Sequence, residues 1–244
     1  GGLLMATLGI SGILALTLTL YFLSLVLALR LMSRSKNLQK ATASLFREIL
    51  AGFRFARTRP DILAAFSITI IFNLFGFPFT ALIPVIGIQT LHLTPDGVGM
   101  IAATEGIGAM IGAVLAGRSK TIGQVWVAYG GGVSVCMIGI LIMGTGQDVA
   151  WVVTGIIVAG FGAGFFAATQ VMITYRLSPP DQRSRMLGIL TFCIGSAPIG
   201  FAVLGYMSDW LGTGPALVIM GVEGIIAMSL FWLIFRHAIR ASAR

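Results

Sequence analysis

Two carboxylates stand inside runs that are otherwise apolar or small: Glu105 in MIAATEGIGAMIGAVLAG (100–117) and Glu223 in IMGVEGIIAM (219–228). A charged acid at the centre of a bilayer costs on the order of 2.5–3.5 kcal/mol on insertion scales. Burial disfavours the ionised carboxyl, which suits such a group to carrying a proton. Glu105 lies beside a stripe of Thr104, Gly108, Gly112 and Ala116, the spacing that lets two helix backbones approach closely. It is expected to face protein or a cavity, either as a proton carrier or as a protonated acid bonded to a neighbouring helix. Glu223, between Gly221 and Gly224, is open between a cavity and packing.

A second set is polar but uncharged. Asn73, in IIFNLFGFPFT, is the polar residue nearest the middle of its run, and Gly76, Pro78 and Pro84 follow it. Prolines break or kink helices, and unwound backbone at membrane depth is tolerated only against protein or water. Asn73, Phe75 and Pro78 are therefore candidates for the wall of a substrate cavity, with Phe75 equally suited to facing lipid. Gln170, in AATQVMI, joins them as a cavity candidate or an interhelical hydrogen bond.

Other apparent motifs fail on context. Gly97-Val98-Gly99 mimics the start of a dinucleotide fingerprint but follows Thr94-Pro95-Asp96, a helix start, and not a strand. His92 and His237 fall at opposite ends of helices, no metal-ligand spacing occurs, and no nucleophile elbow is present. No enzyme chemistry, metal or cofactor is expected.

The elements that position these groups follow from composition. Of 244 residues 57% are hydrophobic and 10% charged, against about a quarter charged in a soluble domain. A transmembrane helix needs about 20 mostly apolar residues. Stretches of that kind fall at 10–32, 61–89, 95–117, 123–145, 149–176, 186–210 and 214–236. The reading is an all-α, polytopic membrane protein with seven transmembrane helices. Cys136 and Cys193 both lie inside spans and are read as packing residues.

All 16 basic residues fall within the last three positions of the first, fifth or seventh span, between the first and second, third and fourth or fifth and sixth spans, or after the seventh. The alternate connections, 90–94, 146–148 and 211–213, hold none. Lysine and arginine collect on the cytoplasmic side, which places the C-terminus in the cytoplasm and makes the charge of +8 a topology signal. No nucleic-acid partner is implied.

Residues 36–59, KNLQKATASLFREILAGFRFARTR, repeat Leu38, Ala41, Leu45, Phe46, Ile49 and Phe53 at helical spacing with charged residues on other faces. This predicts an amphipathic helix on the cytoplasmic membrane surface. The apolar character begins at Gly1 with no charged region before it, and an odd number of helices then suggests a chain that has lost its front.

The stretch LIPVIGIQTLHLTPDGVGMIAATEGIGAMIGAVLAGR (82–118) resembles helices seven and eight of a major facilitator superfamily transporter. Within it, the likeness is to the bacterial branch of enterobactin exporters and macrolide efflux proteins. SPPDQRSRMLGIL (178–190) is similar to that branch's connection between helices ten and eleven, and Gly1–Leu4 with Leu8-Gly9 to the end of helix five. Residues 117–123 lack the acid common in the superfamily's signature loop, and Ser184 stands where glycine is usual. Such a lobe contains two three-helix repeats of inverted orientation, and AMIGAVLAG (109–117) matches APIGFAVLG (197–205) at Ala, Ile-Gly and the final Gly.

The resemblance implies helices six to twelve, that is the C-terminal portion. Residues 1–33 would end the N-terminal lobe, 34–59 form the interdomain linker, 60–237 the C-terminal six-helix lobe and 238–244 a cytoplasmic tail. The function implied is a proton-coupled exporter of small amphiphilic molecules (drug, siderophore or metabolite) in the bacterial inner membrane. Its partners would be substrate, protons, the lipid bilayer and the missing N-terminal lobe. The proton-coupling candidates are Glu105 and Glu223, and the cytoplasmic loop residues Arg118, Arg183 and Arg185. Transport of another solute, or a seven-helix receptor or channel, are the alternatives.

Overall fold

The computed structural model describes residues 2–34 and 52–242, all helix and connections with no strand among them. The chain divides into two bodies, Gly1–Glu48 and Ile49–Arg244. The first is α1 (Gly2–Arg34), interrupted at Gly9, where a φ of 62° and ψ of 176° suit a residue without a side chain. Within it, Ser11–Arg30 is long and apolar enough to cross a membrane.

The second body holds six further spans: α2 (Pro60–Gln89), α3 (Pro95–Ala116), α4 (Ile122–Thr145), α5 (Val149–Leu177), α6 (Arg183–Leu211) and α7 (Thr213–Ser242). With α1 they make seven, as hydropathy predicts. Residues 52–57 are helical, with Gly52 and Ala56 buried, Phe53 partly buried, and Arg54 and Arg57 exposed. The rest of that amphipathic stretch, residues 35–51, lies outside the described residues.

Side chains at the helix starts satisfy backbone donors that have no partner in the first turn. Thr94 accepts from Gly97 N ahead of Pro95 in α3, and Asp148 accepts from Trp151 N at 2.9 Å in α5. Thr121 and Gln124 form a reciprocal pair at α4, with Gln124 N donating to Thr121 Oγ1 and Thr121 N to Gln124 Oε1, both 3.2 Å.

Small residues set which helices touch. Gly108 and Gly112 of α3 meet the backbone of α5 at Ile157 and Phe161, and Gly160 and Gly164 of α5 meet α3 at Glu105 and Ala109. Gly132 and Gly139 bring α4 against the other side of α5. With lipid outside, close van der Waals packing is the main source of helix association. Trp232 of α7 lies over Gly130 of α4.

The matched motifs are reciprocal in space. Gly112 of α3 packs on the first helix of the second three-helix set, α5, at the Phe161 carbonyl. Gly200 of α6 packs on the first helix of the first set, α2, at the Leu74 carbonyl. Each of the two matched glycines thus meets a backbone carbonyl on the first helix of the other set.

Two spans are broken. In α2 a π-helical turn, Phe72–Gly76, separates Pro60–Ile71 from Phe79–Gln89, and Phe77 N donates to Phe72 O at 2.8 Å. The sequence predicts unwound backbone here; the structure keeps a widened helical turn instead. Pro78 has no N–H for the Leu74 carbonyl, and Gly200 lets α6 close against that carbonyl. α6, predicted as one helix, stops at Ile194 and resumes at Ala197. Pro198 cannot donate to Ile194, and Ser196 Oγ donates to Cys193 O at 2.8 Å to close the first half. α7 continues past residue 237 to Ser242, where no residue interrupts it.

Candidate functional site

Glu105 falls on the α5-facing stripe of α3, between Ile101 and Gly108, both buried. Its backbone touches Gly160, while its half-buried side chain makes no hydrogen bond or ion pair among the described residues. An acid at mid-span, anchored by its main chain and unpaired at its carboxyl, can exchange a proton without first breaking an internal bond. Glu223 is different. Gly221 and Gly224 lie buried on α4, which turns Glu223 out to the exposed face with Val222 and Ile226. The packing alternative fails for it among the described residues, because its neighbours on the helix take the contact.

The cavity-wall candidates are packed inside. Asn73, at 4% exposure, donates Nδ2 to Thr69 O at 2.8 Å within its own helix. Pro78 is buried against Gly200, and Phe75 is half-buried. Gln170 is buried with Nε2 unpartnered among the described residues, so that amide group makes no interhelical hydrogen bond. Asn73 and Pro78 lie in the core of the bundle, where Gly200 lets α6 cover the break in α2, and Phe75 packs partly buried against that core.

Around Asn73 the structure assembles a polar cluster that spacing did not reveal. Tyr129 of α4, fully buried, shares a 2.6 Å hydrogen bond with Thr69 Oγ1 and donates to Ala65 O at 3.1 Å. Phe166 of α5 stacks on Phe72 at 3.8 Å between centroids and on Tyr129 at 5.3 Å. Three helices meet there at the level of the π-helical turn. A lone tyrosine among glycines was the only sequence signal.

At the basic end, Arg59 clamps Asp61 through Nε to Oδ1 at 3.0 Å and Nη2 to Oδ2 at 2.6 Å. Its hydrogen bond to Asp61 holds the guanidinium above its usual pKa, with burial opposing. Asp61 lies in the first turn of α2. Arg176 Nη1 donates to Lys120 O at 3.1 Å, linking the last turn of α5 to the α3–α4 connection. Arg183 stacks 4.0 Å from the Tyr175 ring centroid and donates to its hydroxyl at 2.9 Å, Arg185 donates to Gln182 at 3.3 Å, and Arg118 is exposed. Among the described residues no three metal-ligating side chains converge.

Seven apolar spans, small-residue crossings and proline breaks define a multi-pass helical membrane protein. The family model of the Major Facilitator Superfamily matches residues 1–197 and, in a second overlapping stretch, 74–243; the chain belongs to that superfamily of membrane transporters. A comparison with curated proteins finds no match.

Proposed function

We propose that the chain is the C-terminal portion of a proton-coupled exporter of small amphiphilic molecules, with Glu105 as the proton-carrying group. The observation that supports this most is the position of Glu105: mid-span, against α5 through its backbone at Gly160, and with no partner for its carboxyl among the described residues. The gathering of basic residues on alternate connections supports a cytoplasmic C-terminus. The resemblance of 82–118 to the bacterial exporter branch supports outward transport. In this reading Asn73, Phe75, Pro78 and Gln170 act through the packing of the lobe.

The test is Glu105→Gln in the intact transporter reconstituted in proteoliposomes. Glutamine keeps the size and removes the titration, so efflux driven by a pH gradient should collapse while substrate binding persists and loses its pH dependence. Normal export by the variant across the same gradient would falsify the assignment of Glu105.

A further inference from the structure

We propose that a cleft at the basic end of the bundle binds the phosphate of an anionic phospholipid headgroup. The cleft, about 330 Å³, is lined by Arg59, Asp61, Ile122, Arg176, Leu177 and Ser242. These residues come from the N-cap and first turn of α2, the first residue of α4 and the last residues of α5 and α7. Four helix ends therefore surround it, at the level where a bilayer gives way to water.

Its charge is unbalanced: two guanidinium groups face one carboxylate. Asp61 occupies Nε and Nη2 of Arg59, and Nη2 also points at Leu177 O, 3.4 Å away. This leaves Nη1 of Arg59 without a partner among the described residues. Arg176 uses Nη1 on the Lys120 carbonyl and leaves Nε and Nη2 without one. Ser242 Oγ is committed, accepting from Trp126 Nε1 at 3.0 Å and donating to Ile239 O at 2.9 Å. The donors left without a partner are thus all N–H groups on cations, while each Asp61 oxygen already accepts from Arg59.

A guanidinium fork matches phosphate oxygens in charge and spacing. Basic pockets between membrane helices are suited to anionic headgroups. Asp61 prepares the site, since the bidentate clamp fixes Arg59 before any ligand arrives, and Ile122 offers an apolar wall toward the glycerol side. A lipid is favoured over free phosphate because the cleft opens among span ends.

The test uses the intact transporter purified in detergent, with phosphatidylglycerol and inorganic phosphate added in separate arms. Thermal stability and retained lipid in native mass spectra are the readouts. Phosphatidylglycerol should raise the midpoint and remain bound. Arg176→Gln should weaken that binding about tenfold, the loss of a charged hydrogen bond. Arg236→Gln, the same change of charge at the same end but outside the cleft, should leave it nearly unchanged. Asp61→Asn should strengthen lipid binding by removing the opposing charge, and the two arginine variants decide the matter if it folds poorly. Equal weakening by Arg236→Gln would reduce the site to diffuse attraction and overturn the proposal. Inorganic phosphate alone matching the lipid's effect would overturn the headgroup as occupant.

Discussion

The main chain of Glu105 in α3 lies directly against Gly160 in α5, so that a methyl group on Gly160 would overlap the Glu105 carbonyl. Glu105, whose carboxyl has no partner among the described residues, is therefore placed by the smallest residue opposite it. Gly160→Ala should force α3 away and cost about 1–3 kcal/mol, the usual penalty of overpacking. Gly106→Ala, one residue after Glu105 and with nothing near its missing side chain, should be neutral or stabilise by up to about 1 kcal/mol through helix propensity. Thermal unfolding of both variants in detergent checks the pair, and equal midpoints would refute the close seam.

The α2–α6 contact allows a matching comparison. Gly200→Ala would press on the Leu74 carbonyl, whereas Gly205→Ala meets nothing within 4 Å. The first should lose about 1–3 kcal/mol and the second almost nothing, read by the same unfolding assay. A harmless Gly200→Ala would mean that the π-helical turn in α2 is not held by α6.

The buried hydroxyl pair has a measurable worth. Tyr129→Phe removes the donor to Ala65 O and the acceptor of the Thr69 hydroxyl, which is then free to donate to Ala65 O, 3.2 Å away. The loss should be about 1 kcal/mol. A Tyr129→Phe, Thr69→Val double-mutant cycle should show clear coupling between the two; strict additivity would deny the pair.

Topology can be read by labelling. Cys136 and Cys193 are buried, so a single new cysteine supplies the signal. His92→Cys should react with an impermeant maleimide added outside cells, and Pro180→Cys only after permeabilisation, both positions being exposed. The opposite pattern would reverse the orientation inferred from the basic loops.

The Arg59–Asp61 pair should resist alkali. The hydrogen bond to Asp61 raises the Arg59 pKa above its ordinary value, so its contribution to stability is complete below the unfolded pKa and is lost only as pH rises through the folded one. Both values lie above the physiological range. Unfolding midpoints of the native chain and Asp61→Asn should keep a constant difference from pH 7 to pH 10; a gap that closes over that window would contradict the pairing.

By itself the sequence determined the number of spans and where most of them begin. A bilayer demands long apolar helices, and proline, threonine and aspartate at Thr94-Pro95-Asp96 or Pro60-Asp61 act on their own first turn, so these signals are local. The Gly/Ala stripe containing Gly108 and Gly112 likewise announced a close helix contact. It could not name the partner helix, which the structure shows to be α5.

Tertiary structure alone decided which polar groups are used and how. Tyr129 meets Thr69 across 60 residues of chain, and Arg176 joins the connection at Lys120 across 56. Periodicity within one helix carries no information about such distances. Glu105 and Glu223 look alike as acids among small residues, yet one lies half-buried on a seam and the other on an exposed face. The difference comes from the flanking glycines: Gly160 across the seam draws the main chain of Glu105 inward, while Gly221 and Gly224 claim the contact with α4 and turn Glu223 out. Asn73 and Pro78 went the other way, from expected cavity wall to core, because Gly200, more than a hundred residues on, brings α6 over the broken turn.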